Sequence, residues 1–355
     1  MHTKMTAADL QAAIDEAKQN GLAELTVTGE YEIAAPVALP SDFTLILEDA
    51  YLRMADGVMC QMFVSEHTLT PNGEIDRNIA LIGRGNSVLD GGEYNGLSER
   101  NSGKDGMPYI WQNNMLLFAG VEGFRIENLT VKNQRWWALN FICCGGGVIR
   151  NIEFAASDLR RLPNGELVHG LLRAEYEGTL VKNADGVDLR CGCHDILIED
   201  ISGFCEDDTV ALTALPGGTE KRFGREGYEN SICRVTIRRV SAASFCTTVR
   251  LLNQGGAELH DILIEDITDT SPEDPRLDSG IGALRVGDNH LYGTCHSTPE
   301  QTTGIVARRI LSGGERAVHL AGALKDCSFT DIRTYTEKTV PVINEAVCEN
   351  VTIEA

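Results

Sequence analysis

One short pattern recurs along the chain: an apolar residue, any residue, then Asn, Asp or Arg, then a second apolar residue. It reads Ile126-Glu-Asn-Leu, Ile149-Arg-Asn-Ile, Ile198-Glu-Asp-Ile, Ile237-Arg-Arg-Val, Ile264-Glu-Asp-Ile, Ala307-Arg-Arg-Ile and Phe329-Thr-Asp-Ile. The shorter spacings are about 22 to 27 residues, with longer excursions between some copies, one of them Gly-rich around Pro216 to Asn230. Short strands separated by Gly and Asn turns, without intervening helices, fit neither leucine-rich nor ankyrin repeats. They predict an all-β fold, a parallel β-helix in which each coil stacks on the last. Such a stack shares one core, so residues 1–355 are expected to form a single domain. The recurrent Asn128, Asn151, Asp200, Asp266 and Asp331 suit a turn position with left-handed backbone.

The start of the chain follows a different period. Leu10, Ile14 and Ala17 fall on one helical face, Thr6 can cap it, and Gly21 ends it. A helix over Ala7–Lys18, within about residues 1–25, is therefore expected to close the first coil and cover its unpaired edge.

A second strand aligns in the same way: Ala138-Leu-Asn-Phe, Gly186-Val-Asp-Leu, Thr209-Val-Ala-Leu, Thr248-Val-Arg-Leu, Ala283-Leu-Arg-Val and Ala317-Val-His-Leu. Period-two alternation turns the second and fourth residues inward and the third outward. The outward column then reads Asn140, Asp188, Ala211, Arg250, Arg285 and His319. A parallel column three residues earlier reads Trp137, Asp185, Asp208, Thr247, Gly282 and Arg316. One face thus collects acids, bases and a Trp on coils about 4.8 Å apart.

Charge narrows the partners. With 31 Lys and Arg against 52 Asp and Glu, the net charge is −21, which argues against nucleic acid or an anionic membrane as a partner. No apolar run is long enough for a membrane-spanning helix, and the first ten residues lack the apolar core of a secretory signal. The 11 cysteines are odd in number and scattered, which predicts reduced, core-filling thiols in a cytoplasm. Cys191-Gly192-Cys193 has no matching second pair, so core-filling cysteine rather than a metal site is expected there.

Asp185, Asp207 and Asp208 fall on neighbouring coils. Crowded carboxylates repel, so at least one should hold its proton unusually well. Three readings follow from spacing alone: acid and base roles in glycoside cleavage, a cation site, or turn chemistry at Asp185-Gly186 and a solvated corner at Glu206-Asp-Asp.

Asn183-Ala-Asp-Gly-Val-Asp and Glu206-Asp-Asp-Thr-Val-Ala-Leu resemble the Asn-Thr-Asp-Gly and Gly-Asp-Asp-Cys-Ile-Ala motifs of the polygalacturonases, glycoside hydrolase family 28. Ala7 to Ile33 is similar to the capping helix and first strands of that group. Asn78-Ile-Ala-Leu-Ile-Gly-Arg-Gly with Val88-Leu-Asp-Gly-Gly is similar to its Gly-Gly-x-Ile-Asp-Gly region. The resemblance implies a right-handed β-helix, inverting hydrolysis of a galacturonide or related linkage, and no cofactor. It assigns the general acid to Asp207 and the water-activating pair to Asp185 and Asp208. The family's Gly-His-Gly histidine falls on Thr247. Its Arg-Ile-Lys motif keeps Arg285 but places Gly287 where the Lys should be.

The expected partner is a short oligosaccharide. Arg250 and Arg285 are taken as the cations beside the acids, which favours an acidic sugar, and Asp188, Trp137, Asn140 and His319 are further candidate contacts. His319, two coils beyond the acids, reads as a surface residue or a distal contact, and His169 and His194 sit in or beside loops. The excursions at about 93–114, 157–181 and 215–230 should wall the groove and favour exo action. A calcium-dependent lyase or epimerase and a non-catalytic carbohydrate-binding β-helix are the alternatives.

Overall fold

The computed structural model describes residues 4–70, 73–92, 110–156, 159–161, 167–169, 185–274, 280–288 and 296–355. The chain folds as a right-handed parallel β-helix. Its longest ladder runs through Glu24–Ile33, Phe43–Met54, Asp76–Arg84, Leu116–Lys132 and Val148–Ala155, each paired in parallel with the next. It continues through His194–Cys205, Ile232–Ser244, Leu259–Asp269, Thr302–Ser312, Ala323–Thr334 and Val347–Ile353.

Most rungs of this ladder carry the repeated tetrapeptide, and its third residue makes the bend. Asn128, Asn151, Asp200, Arg239, Asp266, Arg309 and Asp331 all have φ between 51° and 59°. Asn and Asp tolerate this region. Arg239 and Arg309 occupy it as well, where alternating charge offsets the strain. Arg239 Nε donates to Asp200 at 2.7 Å and Arg309 Nε to Asp266 at 2.6 Å. A second column of left-handed turns runs through Asp42, Asn78, Asp195, Arg234, Asp261, Asp326 and Asn350. Amide and guanidinium contacts tie it between coils, as in Asn78 to Asp42 and Arg234 to Asp195.

The inward apolar residues of successive coils merge into one continuous core. Phe124 and Phe141 stack at 4.7 Å, with Phe118 edge-on to Phe141 at 6.0 Å. The helix Ala7–Gln19 closes the first coil, one residue longer than its periodicity predicts. Thr6 and Asp9 cap it reciprocally, and Leu10 and Ile14 are fully buried. Gln11 accepts the Ala38 N–H at 2.7 Å, so the helix satisfies a first-coil edge amide that has no earlier rung to pair with.

Of the three excursions, 215–230 is fully described and holds a short helix, Gly218–Phe223. Most of 93–114 and 157–181 lies outside the described residues, as does Asn183. No described helix is long and apolar enough to cross a membrane.

Candidate active site

The second ladder positions the site. Its strands Trp137–Gly145, Asp185–Arg190, Val210–Ala214, Thr247–Asn253, Gly282–Gly287 and Arg316–Ala321 pair in the register that alternation predicts. Asn140, Asp188, Ala211, Arg250, Arg285 and His319 stand in one column. Trp137 pairs with Asp185, and Thr247 with Gly282 and then Arg316.

The column does not form one surface. Trp137, Asp185, Asp188, Asp207, Asp208 and Arg250 line a pocket of about 430 Å³. Asn140 is fully buried one coil earlier, its amide 3.4 Å from Asn114 Oδ1. Arg285 Nη2 donates to the Asp288 carbonyl at 3.4 Å and does not line the pocket. His319 corrects its expected place at the surface: it is 5% exposed, with Nε2 2.9 Å from Glu345 Oε2. Burial, aided by the Arg285 and Arg316 cations, holds its imidazole below the ordinary value against that carboxylate. His194 contacts Glu122 and Asp195 and is not a pocket residue. Of the His169 side chain nothing is described. Trp136 packs fully buried, and Trp137 is the ring that reaches the pocket.

Asp207 and Asp208 sit in the turn that enters the strand Val210–Ala214. The next coil fixes this turn: Ser244 Oγ donates to the Asp207 carbonyl at 2.6 Å and accepts the Cys246 N–H at 2.9 Å. The Asp208 N–H donates to Asp207 Oδ1 at 3.0 Å. Thr247 donates to Asp208 Oδ1 through its N–H at 3.1 Å and through its hydroxyl. Gly287 could not carry a Lys in this backbone. Its φ is +83°, and a Cβ there would stand 2.4 Å from the Gly322 nitrogen.

The pocket acids are electrostatically strained. Burial, then the charge of Asp207, pushes the Asp208 carboxyl up to about 6, against the opposing pull of Arg250 and the Thr247 hydrogen bonds. Burial also drives Asp188 well above the usual carboxylate range. Such groups exchange protons as a set rather than singly.

Two residues central to the pocket are absent from the sequence-level candidates. Arg190 is buried with its guanidinium 4.0 Å over the Trp137 ring. Its Nε and Nη2 donate to Glu220 Oε1 at 2.8 and 2.7 Å, and Nη1 donates to Thr213 at 2.7 Å. Arg190 was accessible from the same alternation that turns Asp188 outward, because it stands two residues further on. The cations beside the acids are therefore Arg190 and Arg250, not the expected Arg250 and Arg285. Glu220 had no such signal. It comes from the 215–230 excursion, whose short helix folds over the strand face and supplies the predicted wall.

A cation site is less well supported. Among the described residues, one group of metal-ligating side chains has its ligand atoms within 4.8 Å of one another: Glu66, His67 and Asp76, which does not line the pocket. Asp76 there is engaged by His67 and Ser41.

Comparison with solved structures places the fold among known β-helices. The chain is similar to a hyperthermoactive exopolygalacturonase from Thermotoga maritima, with TM-score 0.57 and 15% identity over 100% of this chain and 92% of that one. It is similar to a polygalacturonase from Erwinia carotovora ssp. carotovora, with TM-score 0.53 and 13% identity over 99% and 91%. A tailspike protein double mutant of E. coli bacteriophage HK620 gives TM-score 0.60 and 12% identity over 98% and 63%. The shared feature is the fold. No protein-family model matches the chain, and no curated protein matches it.

Proposed function

We propose that this chain is a glycoside hydrolase, one β-helix unit that cleaves a short oligosaccharide with inversion and acts from the chain end. The observation that carries the reading is the pocket itself: acids from two adjacent coils meet there beside Trp137, where burial and the Asp207 charge push the Asp208 carboxyl up to about 6. Carboxyl groups are crowded in this way where acid and base roles are divided. In this mechanism Asp207 protonates the leaving oxygen. Asp185 and Asp208 orient and deprotonate water on the opposite face of the ring. Thr247 fixes Asp208 as an acceptor, and Arg250, on the next coil, stabilises its ionised form. The Gly218–Phe223 wall closes one side of the pocket and supports exo action. The ten described cysteines are all free thiols, which suits a reducing compartment such as the cytoplasm.

Inversion requires acid and base carboxyls about 6.5–9.5 Å apart, leaving room for water. Proton NMR of the first anomer released from a panel of oligosaccharides tests the mechanism; retention of configuration rules it out. A purely carbohydrate-binding protein would release no sugar, and its Asp207→Asn variant would bind like the parent.

A further inference from the structure

The charge of the bound sugar can be read from the same pocket, given the reading of that pocket as a sugar site. Among the described lining residues, four aspartates and Glu220 face Arg190 and Arg250. Arg190 is already engaged on three sides, by Glu220, Thr213 and the Trp137 ring. Arg285 stands outside the pocket on the Asp288 carbonyl, and Gly287 has no room for a Lys. The pocket therefore presents mainly hydrogen-bond acceptors. Asp188 is fully buried, and among the described residues its carboxyl meets no N–H donor; its hydrogen-bond partner is the neighbouring Asp185 carboxyl. Two carboxyls that share one hydrogen bond keep further acceptor lone pairs, and a sugar hydroxyl brings a donor to them. A uronate carboxylate brings only acceptors and a like charge. The net charge of −21 repels an acidic oligomer before it arrives.

We propose that the sugar seated in this pocket is uncharged and donates a hydroxyl hydrogen to Asp188, leaving Asp185 and Asp208 to the water, and that the pocket discriminates against uronides.

Calorimetric titration of the intact chain with neutral disaccharides and their uronate counterparts, at about 20 and about 200 mM salt, tests this. A neutral disaccharide should bind with an affinity insensitive to salt. Its uronate counterpart should bind at least about tenfold more weakly and gain affinity as salt screens the repulsion. Glu220→Gln should narrow the gap several-fold, and the salt comparison on the parent protein stands if that variant folds poorly. Uronate binding that equals or exceeds neutral binding, or that weakens with salt, overturns the proposal and leaves the hydrolase reading intact. If no disaccharide of either kind binds, the sugar-site reading falls and takes this inference with it. Retention of the anomer with neutral-sugar preference would sink only the inverting mechanism.

Discussion

Replacing Asp208 by Asn removes the carboxyl whose proton affinity folding raises from 3.8 to about 6. An acid with a raised folded pKa keeps its proton in the native state at pH values where the unfolded chain has released it. Asp208 thus costs little below about pH 4. Its cost grows as pH rises toward about 6 and is full above that. The gap corresponds to about 3 kcal/mol at neutral pH, taking 1.36 kcal/mol per pH decade. Asp208 is partly exposed and titrates together with a neighbouring group, so about 1–3 kcal/mol is the working range. Asp208→Asn keeps an acceptor for Thr247 and lacks the charge. Urea unfolding of parent and variant from pH 4 to pH 7.5 reads the effect. A stack of coils need not unfold in one step, so the difference between the two proteins is followed rather than an absolute stability. The variant should match the parent near pH 4 and exceed it by about 1–3 kcal/mol near pH 7. A difference independent of pH, or one favouring the parent at neutral pH, would refute the idea that burial and Asp207 strain this carboxyl. The same variant should lose hydrolytic activity, which separates its catalytic from its structural role.

Asp207→Asn should lower kcat/KM by orders of magnitude on substrates with poor leaving groups and far less on glycosyl fluorides, whose departure needs no general acid. Equal losses on both would deny it the acid role. Arg190→Ala leaves Glu220 buried without its cation and should cost about 3–5 kcal/mol in urea unfolding, with the double variant Arg190→Ala, Glu220→Ala losing less than the two single losses combined. A loss under about 1 kcal/mol would show that the pair is effectively solvated. Gly203→Ala should destabilise by more than about 3 kcal/mol, because its φ is +103° and a Cβ would stand 1.9 Å from the Phe154 carbonyl oxygen. At Gly21, with φ +72° and nothing within 4 Å, the same change should cost about 1 kcal/mol. Thermal unfolding of the two variants side by side checks the contrast.

The repeat Ile-x-Asp-Ile determined the coil without reference to any other part of the chain. Its apolar residues must point inward, and its third residue must accept a left-handed bend, so the β-helix and the left-handed positions were legible from local pattern. Alternation also determined register. Stacked coils place equivalent residues one rung apart, so the repeat alone puts Asp185 beside Asp208 and aligns Asp188 with Arg250. A column, however, states only which residues neighbour one another. Whether a member faces solvent, a pocket or another side chain depends on what covers it, and the cover comes from segments outside the repeat. Tertiary structure alone decided that Glu220 reaches back from residues 215–230 to hold Arg190, that Arg190 lies across Trp137, and that His319 is buried against Glu345. These contacts join residues with no shared period. Their energies depend on desolvation, which is a property of the assembled pocket and not of any stretch of sequence.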